Sequence, residues 1–257
     1  MNTVSTAHWV DDDHRLAVHI ATVAGSALNA IRASAILTGT PLGAVGDATA
    51  NELIAHILAQ TRPEDGFLSE ESAPDPKRLT LDRVWVIDPL DGTREYGERI
   101  EGREDWAVHV ALTVCGEPRA CAVALPARGV TFGTLSPPAV PTPPEGRLKI
   151  LVSRSRAPEL AKRVVQRLDA ELIPMGSAGA KAMAVLRGEA HAYLHAGGQY
   201  EWDSCAPVGV ALAAGLHASR IDGSSCIYNG TDVAMPDLLI CRREIAKVML
   251  GAIAAAQ

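Results

Sequence analysis

Residues 85–95 read Trp-Val-Ile-Asp-Pro-Leu-Asp-Gly-Thr-Arg-Glu. A short apolar run, typical of a buried strand, ends there in two carboxylates three residues apart, Asp88 and Asp91. Pro89 restricts the turn between them, Gly92 permits a sharp bend, and Thr93 can cap a following helical turn. The stretch therefore predicts a strand that delivers two acids to one tight turn.

These two carboxylates favour a bound cation. Asp88 and Asp91 point to the same side of the turn, and a buried pair of like charges is unfavourable unless a cation lies between them. Oxygen ligands suit Mg²⁺, which takes one or two carboxylates and leaves room for a phosphate group. The free N–H groups after Asp91 can bind that phosphate. The alternative is an acidic surface loop, which the surrounding strand, Pro89 and Gly92 disfavour.

The turn also resembles a family signature. Asp88–Thr93 is similar to the D-P-[IL]-D-G-[ST] motif of the Mg²⁺-dependent, lithium-sensitive phosphatases of the inositol monophosphatase superfamily. Two further motifs follow the order of that family: residues 69–72 (Ser-Glu-Glu-Ser) resemble G-E-E-S, and Trp202-Asp203 resembles W-D. The residues around Glu95 and after Asp203 look most like the bisphosphate nucleotidase branch. The resemblance implies an α/β fold of the layered αβαβα type.

Composition limits the class of protein. The chain has 257 residues, 47% hydrophobic content and a formal net charge of -6, which predicts a soluble globular protein without a nucleic-acid footprint. The five cysteines are scattered and form no C-x-x-C pair, which fits reduced thiols in a cytoplasmic protein. We find neither a signal-peptide pattern nor an uninterrupted run of about 18 apolar residues, which a membrane span needs, so we expect neither export nor membrane insertion.

The pattern along the chain predicts two domains. A helix over 14–31, a loop over 38–46 and a second helix after Asp47 precede strands at 66–69, 84–87, 106–114, 120–125 and 129–135. The Pro-rich residues 136–146 act as a connector. Strands and helices then alternate to the end, as in a sheet with helical crossovers. We therefore place a metal-binding domain at 1–140 and a substrate-binding domain at 141–257.

The resemblance implies the metal ligands and the catalytic groups. Its metal ligands correspond to Glu70, Asp88, the main-chain carbonyl of Leu90, Asp91 and Asp203. Its catalytic groups correspond to Glu70, Thr93 and Asp47, with Asp47 hydrogen-bonded to the hydroxyl of Thr93. Two or three Mg²⁺ ions would be held, and a pair of ions about 3.5–4 Å apart can activate water and stabilise a leaving oxygen. The residues before Asp47 depart from the family pattern, and Asp47 alone could be a plain helix cap.

The resemblance also implies the groups that contact the substrate. Asp91, Gly92, Thr93 and Asp203 would bind the reacting phosphate ester. Ser177, Lys181 and Arg156 would face the nucleotide, with Lys181 near a second phosphate. Where the family often has Arg, this chain has His195, which weakens that second contact. The indole of Trp202 is interpreted as a brace for the helix that carries Asp203, and an aromatic sandwich for adenine is not obvious.

The implied activity is hydrolysis of the 3'-phosphate of adenosine 3',5'-bisphosphate, and of its sulfated relative, in sulfur assimilation. The expected partner is a small-molecule phosphate ester, and the family suggests a homodimer. Two alternatives keep the metal site: an inositol-1-phosphatase or a fructose-1,6-bisphosphatase. Two others come from different classes: a non-catalytic metal- and phosphate-binding protein, and a nucleotide-cofactor enzyme built on residues 176–181.

Overall fold

The computed structural model describes residues 12–155 and 157–257. In chain order its helices and strands are α1 (Asp13–Ala33), α2 (Thr40–Thr61), β1 (Gly66–Ser69), β2 (Arg83–Asp91), α3 (Thr93–Glu98), β3 (Ala107–Val114), β4 (Glu117–Leu125), β5 (Val130–Gly133), β6 (Lys149–Ser153), α4 (Glu159–Leu168), β7 (Glu171–Met175), α5 (Ala178–Leu186), β8 (Ala192–Tyr200), α6 (Glu201–Ala213), β9 (His217–Ser219), β10 (Ala234–Cys241) and α7 (Ala246–Ala254).

The strands form two five-stranded sheets. The first has the order β1-β2-β3-β4-β5, in which β1 and β2 are parallel and the remaining pairs are antiparallel. The second has the order β7-β6-β8-β10-β9, with parallel pairs on either side of β6 and antiparallel pairs on either side of β10. The first sheet is therefore antiparallel except at β1.

Alternation of buried side chains along the strands produces five layers. Trp85 and Ile87 of β2 pack with α1 and α2 on one face of the first sheet. Val84 and Val86 point to the other face, where α5 and α6 lie between the two sheets. The outer face of the second sheet packs on α4 and α7. This arrangement confirms the predicted αβαβα sandwich. The boundary at residue 140 stays a prediction.

The first helix belongs to the core. Asp12 caps α1 by accepting hydrogen bonds from the main-chain N–H groups of His14 and Arg15. The helix is long and apolar enough to cross a membrane. Its apolar stripe, which includes Leu16, Ile20 and Leu28, is instead buried against α2 and the first sheet.

The predicted loop over 38–46 is wrong, because α2 already begins at Thr40. Pro41 occupies the first turn of the helix, where a missing N–H costs nothing. Gly43 and Gly46 stand where another side chain would not fit: a Cβ on Gly43 would lie 2.6 Å from the Thr93 side chain. Composition predicted a loop, but these glycines serve close helix packing. Asp47 consequently lies two turns inside α2 and faces Thr93.

Smaller differences concern helix and strand ends. Gly92, with φ of 91°, is the cap of α3, and Thr93 is its first residue rather than the cap. Strand β8 runs to Tyr200 through an irregularity at Gly197 and Gly198, where glycine and glutamine residues give a weak strand pattern. Strand β9 was not predicted, since three residues carry too short a pattern.

Candidate active site

The fold brings the predicted acids to one end of the first sheet. Asp88 and Asp91 lie at the end of β2. Glu70 directly follows β1, the strand that runs parallel to β2, and the main-chain N–H of Glu70 donates to the carbonyl oxygen of Ile87 at 3.3 Å. Asp203 lies in the first turn of α6, and Asp47 in α2. Four separate elements thus supply five carboxylates to one place.

Burial and mutual repulsion raise the pKa values of three of these acids. Burial, followed by the charges of Asp91 and Glu70, raises the pKa of Asp88 well above its ordinary value. Burial and the charges of Asp203 and Asp47 raise the pKa of Glu70 to about 7. Burial and Asp91 likewise raise the pKa of Asp203 to about 6. Each carboxylate therefore disfavours ionisation of the others, which is the condition that a bound cation relieves.

Asp91 is held differently. Its Oδ2 accepts hydrogen bonds from Ser177 Oγ at 2.5 Å and from the main-chain N–H of Gly179 at 2.8 Å. Nε2 of His109 lies 3.2 Å from the same oxygen. Although burial opposes it, the charges of His109 and Lys181 and these hydrogen bonds lower the pKa of Asp91. Asp91 stays ionised among neighbours that resist ionisation.

His109, on β3, is a site residue that sequence reasoning missed. Its Nδ1 lies 3.0 Å from the carbonyl oxygen of Trp202 and 3.8 Å from Asp88 Oδ2. One atom each of Asp88, Asp91 and His109 lie within 4.8 Å of one another. The imidazole thus contacts Asp91 through one ring nitrogen and, through the other, Trp202, the residue before Asp203. A single histidine in an apolar strand does not indicate in the sequence that its side chain contacts the acidic cluster.

Thr93 and Asp47 lie side by side. The Thr93 hydroxyl donates to the Leu90 carbonyl oxygen at 3.0 Å, which is the carbonyl predicted to bind metal. Oδ1 of Asp47 is buried without a hydrogen-bond partner among the described residues. Burial and the charge of Glu71 raise the pKa of Asp47 to about 7, against a smaller opposing effect of Thr93. Asp47, Glu71 and Thr93 together line one side of a second cavity.

A cavity of about 210 Å³ extends from Asp91 and Asp203 to residues of the second sheet. Its lining also includes Ser177, Lys181 and His195. The Lys181 ammonium is buried and donates to the carbonyl oxygens of Met175, Gly176 and Ser177, most closely to Ser177 at 2.6 Å. It lies 4.9 Å from the centre of the Tyr193 ring.

Burial lowers the pKa of Lys181 to about 8, against the opposing charges of Asp91 and Asp203. The ammonium therefore stabilises the turn before α5 as well as supplying positive charge to the cavity. The third predicted nucleotide contact, Arg156, lies outside the described residues.

Comparison with known proteins gives matches over most of the chain. The sequence model described as the inositol monophosphatase family matches residues 40–257. A 3'-phosphoadenosine 5'-phosphate phosphatase of Mycobacterium bovis is 53% identical over 221 residues, which are 83% of this chain and 82% of that protein. The 3'(2'),5'-bisphosphate nucleotidase CysQ of Escherichia coli is 29% identical over 193 residues, covering 71% and 77%.

Solved structures show the same fold. The crystal structure of CysQ from Bacteroides thetaiotaomicron superimposes with a TM-score of 0.76, covering 88% of this chain and 96% of that one, at 22% sequence identity.

Proposed function

The chain belongs to the inositol monophosphatase family, and we propose that it hydrolyses the 3'-phosphate of adenosine 3',5'-bisphosphate to yield AMP. The sulfated relative of that nucleotide is a further expected substrate, which gives the protein a role in sulfur assimilation. The observation that carries the proposal is the convergence of Glu70, Asp88, Asp91 and Asp203 beside a cavity that also contains Lys181. The two relatives above are a 3'-phosphoadenosine 5'-phosphate phosphatase and a 3'(2'),5'-bisphosphate nucleotidase, which supports the choice of nucleotide.

The residues present fit Mg²⁺. All proposed donors are oxygens: the carboxylates of Glu70, Asp88, Asp91 and Asp203 and the Leu90 carbonyl. The raised pKa values of three of these acids indicate uncompensated negative charge that a divalent cation would neutralise. When bound, Mg²⁺ would supply the positive charge that activates water and stabilises a leaving alkoxide. We propose two or three ions, in line with the family.

Residues of the chain would position the metal ligand Asp91, the phosphoryl group and the attacking water. Ser177, Gly179 and His109 fix one oxygen of Asp91 and leave its other oxygen for a ligand. The main-chain N–H groups of Gly92 and Thr93 would hold the phosphoryl group in place. Glu70 and Thr93, with Asp47 beside them, would orient the attacking water and accept its proton.

Other phosphate esters are the second candidate. The ammonium of Lys181 already donates to three carbonyl oxygens, and His195 stands where the family resemblance implies an arginine, so the charge available for a second phosphate is modest. Inositol 1-phosphate needs no such charge, which makes it the appropriate competitor.

The test is phosphate release, with Mg²⁺ and with EDTA, from equal concentrations of adenosine 3',5'-bisphosphate, inositol 1-phosphate and fructose 1,6-bisphosphate. We expect the nucleotide to lead in kcat/KM by about a hundredfold, a preference of roughly 2.7 kcal/mol at the transition state. Similar rates on all three esters would leave the metal site standing and remove the nucleotide preference. Nucleotide binding without phosphate release would instead favour a binding protein.

Metal removal should make stability depend on pH in a specific direction. Glu70 and Asp47 have pKa values near 7 when folded, well above the values of about 4 expected in the unfolded chain. The folded state then binds more protons than the unfolded state between about pH 4 and pH 7, so the free energy of unfolding falls as pH rises through that window. In EDTA, the melting temperature should therefore be higher near pH 5.5 than near pH 8.

Mg²⁺ should reverse that trend, because it binds the ionised carboxylates and so raises the melting temperature more at the higher pH. Thermal melts at both pH values, with EDTA and with Mg²⁺, measure this. The Asp88→Asn variant is the control, since it removes one charge of the cluster and should flatten both trends. A Mg²⁺ effect that is equal at the two pH values would contradict the proposed ligand set.

A further inference from the structure

Residues 69–72, called here the glutamate turn, carry two acids to the candidate active site. The main-chain N–H of Ser72 donates to the carbonyl oxygen of Ser69 at 3.3 Å, so Glu70 and Glu71 occupy the two central positions of a β-turn. Ser69 is buried at the base of this turn. The position of the Glu70 carboxylate therefore depends on what holds the two serines.

The first sheet supports the glutamate turn on one side. β1 is an edge strand of four residues, and its neighbour in the sheet is β2. The main-chain N–H of Glu70 donates across this pair to the carbonyl oxygen of Ile87 at 3.3 Å. The charges of Asp203, Asp47 and Asp91 repel that of Glu70. A second anchor, on the side away from β2, would counteract this repulsion.

Asn51 of α2 supplies that anchor. Its Oδ1 accepts a hydrogen bond from Ser69 Oγ at 2.7 Å, and its Nδ2 donates to Ser72 Oγ at 3.3 Å. Ser69 Oγ in turn accepts a hydrogen bond from the main-chain N–H of Glu71 at 3.4 Å. One buried side-chain amide thus joins both ends of the glutamate turn to the helix.

Helix α2 is a firm base for this amide. The helix has 22 residues and packs on α1 and the first sheet through residues that include Ile54. Asn51 follows Asp47 by four residues, so the two side chains lie on the same face of the helix. That face directs Asp47 to Thr93 and Asn51 to the glutamate turn. A neutral amide can do this without adding another negative charge to the acids.

We propose that Asn51 is a positioning residue that holds the glutamate turn in place, so that Glu70 is ready to bind Mg²⁺. This inference rests on the proposed function, from which it takes Glu70 as a metal ligand. Asn51 acts through the two serines, and loss of an outer partner of this kind costs about 10–100-fold in metal affinity.

The test is calorimetric titration of Mg²⁺ into the metal-free protein. Asn51→Leu nearly keeps the volume of the side chain and removes both hydrogen bonds, and its Kd for Mg²⁺ should rise by about tenfold or more. Asn29→Leu is the matched control, because Asn29 of α1 also ties a helix to a distant segment, through the Pro126 carbonyl oxygen at 2.8 Å. Its Kd should equal that of the wild type. Equal losses in the two variants, or a wild-type Kd in Asn51→Leu, would reject the proposal.

A double variant separates positioning from stability. In Asn51→Leu the buried Ser69 hydroxyl loses its acceptor, so the melting temperature in EDTA should fall by a few degrees. Adding Ser69→Ala makes both partners apolar and should restore much of that loss. The Kd for Mg²⁺ should stay about tenfold above the wild-type value, because the glutamate turn is still not joined to α2. Recovery of Mg²⁺ binding together with the melting temperature would mean that Asn51 acts only through stability, which would overturn the proposal.

Phosphate release distinguishes a failure of this inference from a failure of the proposed function. With adenosine 3',5'-bisphosphate, Asn51→Leu should need about tenfold more Mg²⁺ for half of its maximal rate, whereas KM for the nucleotide at saturating Mg²⁺ should not change. A raised KM with an unchanged Mg²⁺ requirement would place Asn51 in substrate binding and overturn the proposal. If the wild type released phosphate from no ester, the proposed function would fail, and the calorimetric comparison would still decide whether Asn51 positions Glu70.

Discussion

Asp91→Asn should lower kcat for phosphate release by about a thousandfold or more while the fold survives. Asp91 is buried, and its carboxylate stays ionised because His109, Lys181 and Ser177 stabilise the charge. An amide of nearly the same shape can still accept the hydrogen bond from Gly179, but it carries no charge for a cation. The loss of charge stabilisation worth several kcal/mol corresponds to three or more factors of ten in rate.

Two measurements separate this effect from unfolding. The melting temperature of Asp91→Asn in EDTA should stay close to that of the wild type, while the increase that Mg²⁺ produces in the wild type should be absent. Asp222→Asn is the matched control, since Asp222 lies on an exposed turn where its carboxylate accepts hydrogen bonds from Ser224. Phosphate release at the wild-type rate by Asp91→Asn would show that the proposed metal site is not the reaction centre.

The five-layer architecture was predictable because its signals are local or carried by motifs. A short apolar run such as residues 84–87, followed by turn residues, is typical of a strand buried on both faces, and the helical spacing in α1 is regular. The three motifs placed Glu70, Asp88, Asp91 and Asp203 at the ends of strands or starts of helices, and the structure brings these four residues together. Their roles as ligands stay a prediction.

What sequence reasoning missed depends on contacts between distant segments. Gly43 and Gly46 suggested a loop, yet they lie in a helix. These two positions need glycine because Thr93 and Tyr96, about fifty residues later, leave no space for a Cβ. The Tyr200–Trp202 stack shows the same limit. Two aromatic residues at i and i+2 look unremarkable in sequence, and the turn from β8 into α6 is what places their rings face to face.

Lys181 lies where the sequence predicted it, but its ammonium also stabilises the turn before α5. The sequence placed its ammonium beside the nucleotide, and the structure does put it in the wall of the cavity. Its hydrogen bonds to three consecutive carbonyl oxygens, however, connect it to the turn that presents Ser177 to Asp91. Removing Lys181 would therefore disturb a metal ligand as well as the charge of the cavity, so its deletion alone cannot measure nucleotide recognition.

Gly179→Ala should be the most disruptive single-methyl change in the site. A Cβ on Gly179 would lie 2.1 Å from Nε2 of His109, and both the ring and the surrounding core are buried, so one of them must move. Overpacking of this kind costs about 1–3 kcal/mol of stability. The displacement would also reach Asp91, which accepts a hydrogen bond from the Gly179 N–H. We expect kcat to fall by about a hundredfold, since misplacement by about 1 Å has that effect.

The cause can be isolated with three further variants: Gly251→Ala, His109→Ser, and His109→Ser together with Gly179→Ala. Gly251→Ala, in α7, adds the same methyl group where nothing lies within 4 Å, and it should stabilise the protein by about 0.5–1 kcal/mol. His109→Ser combined with Gly179→Ala removes the imidazole that the methyl group would strike. If the clash is the cause, adding Gly179→Ala to His109→Ser should cost less stability than adding it to the wild type, and the full rate should not return because Asp91 then lacks its histidine neighbour. An equal cost in both backgrounds would place the damage in the helix itself.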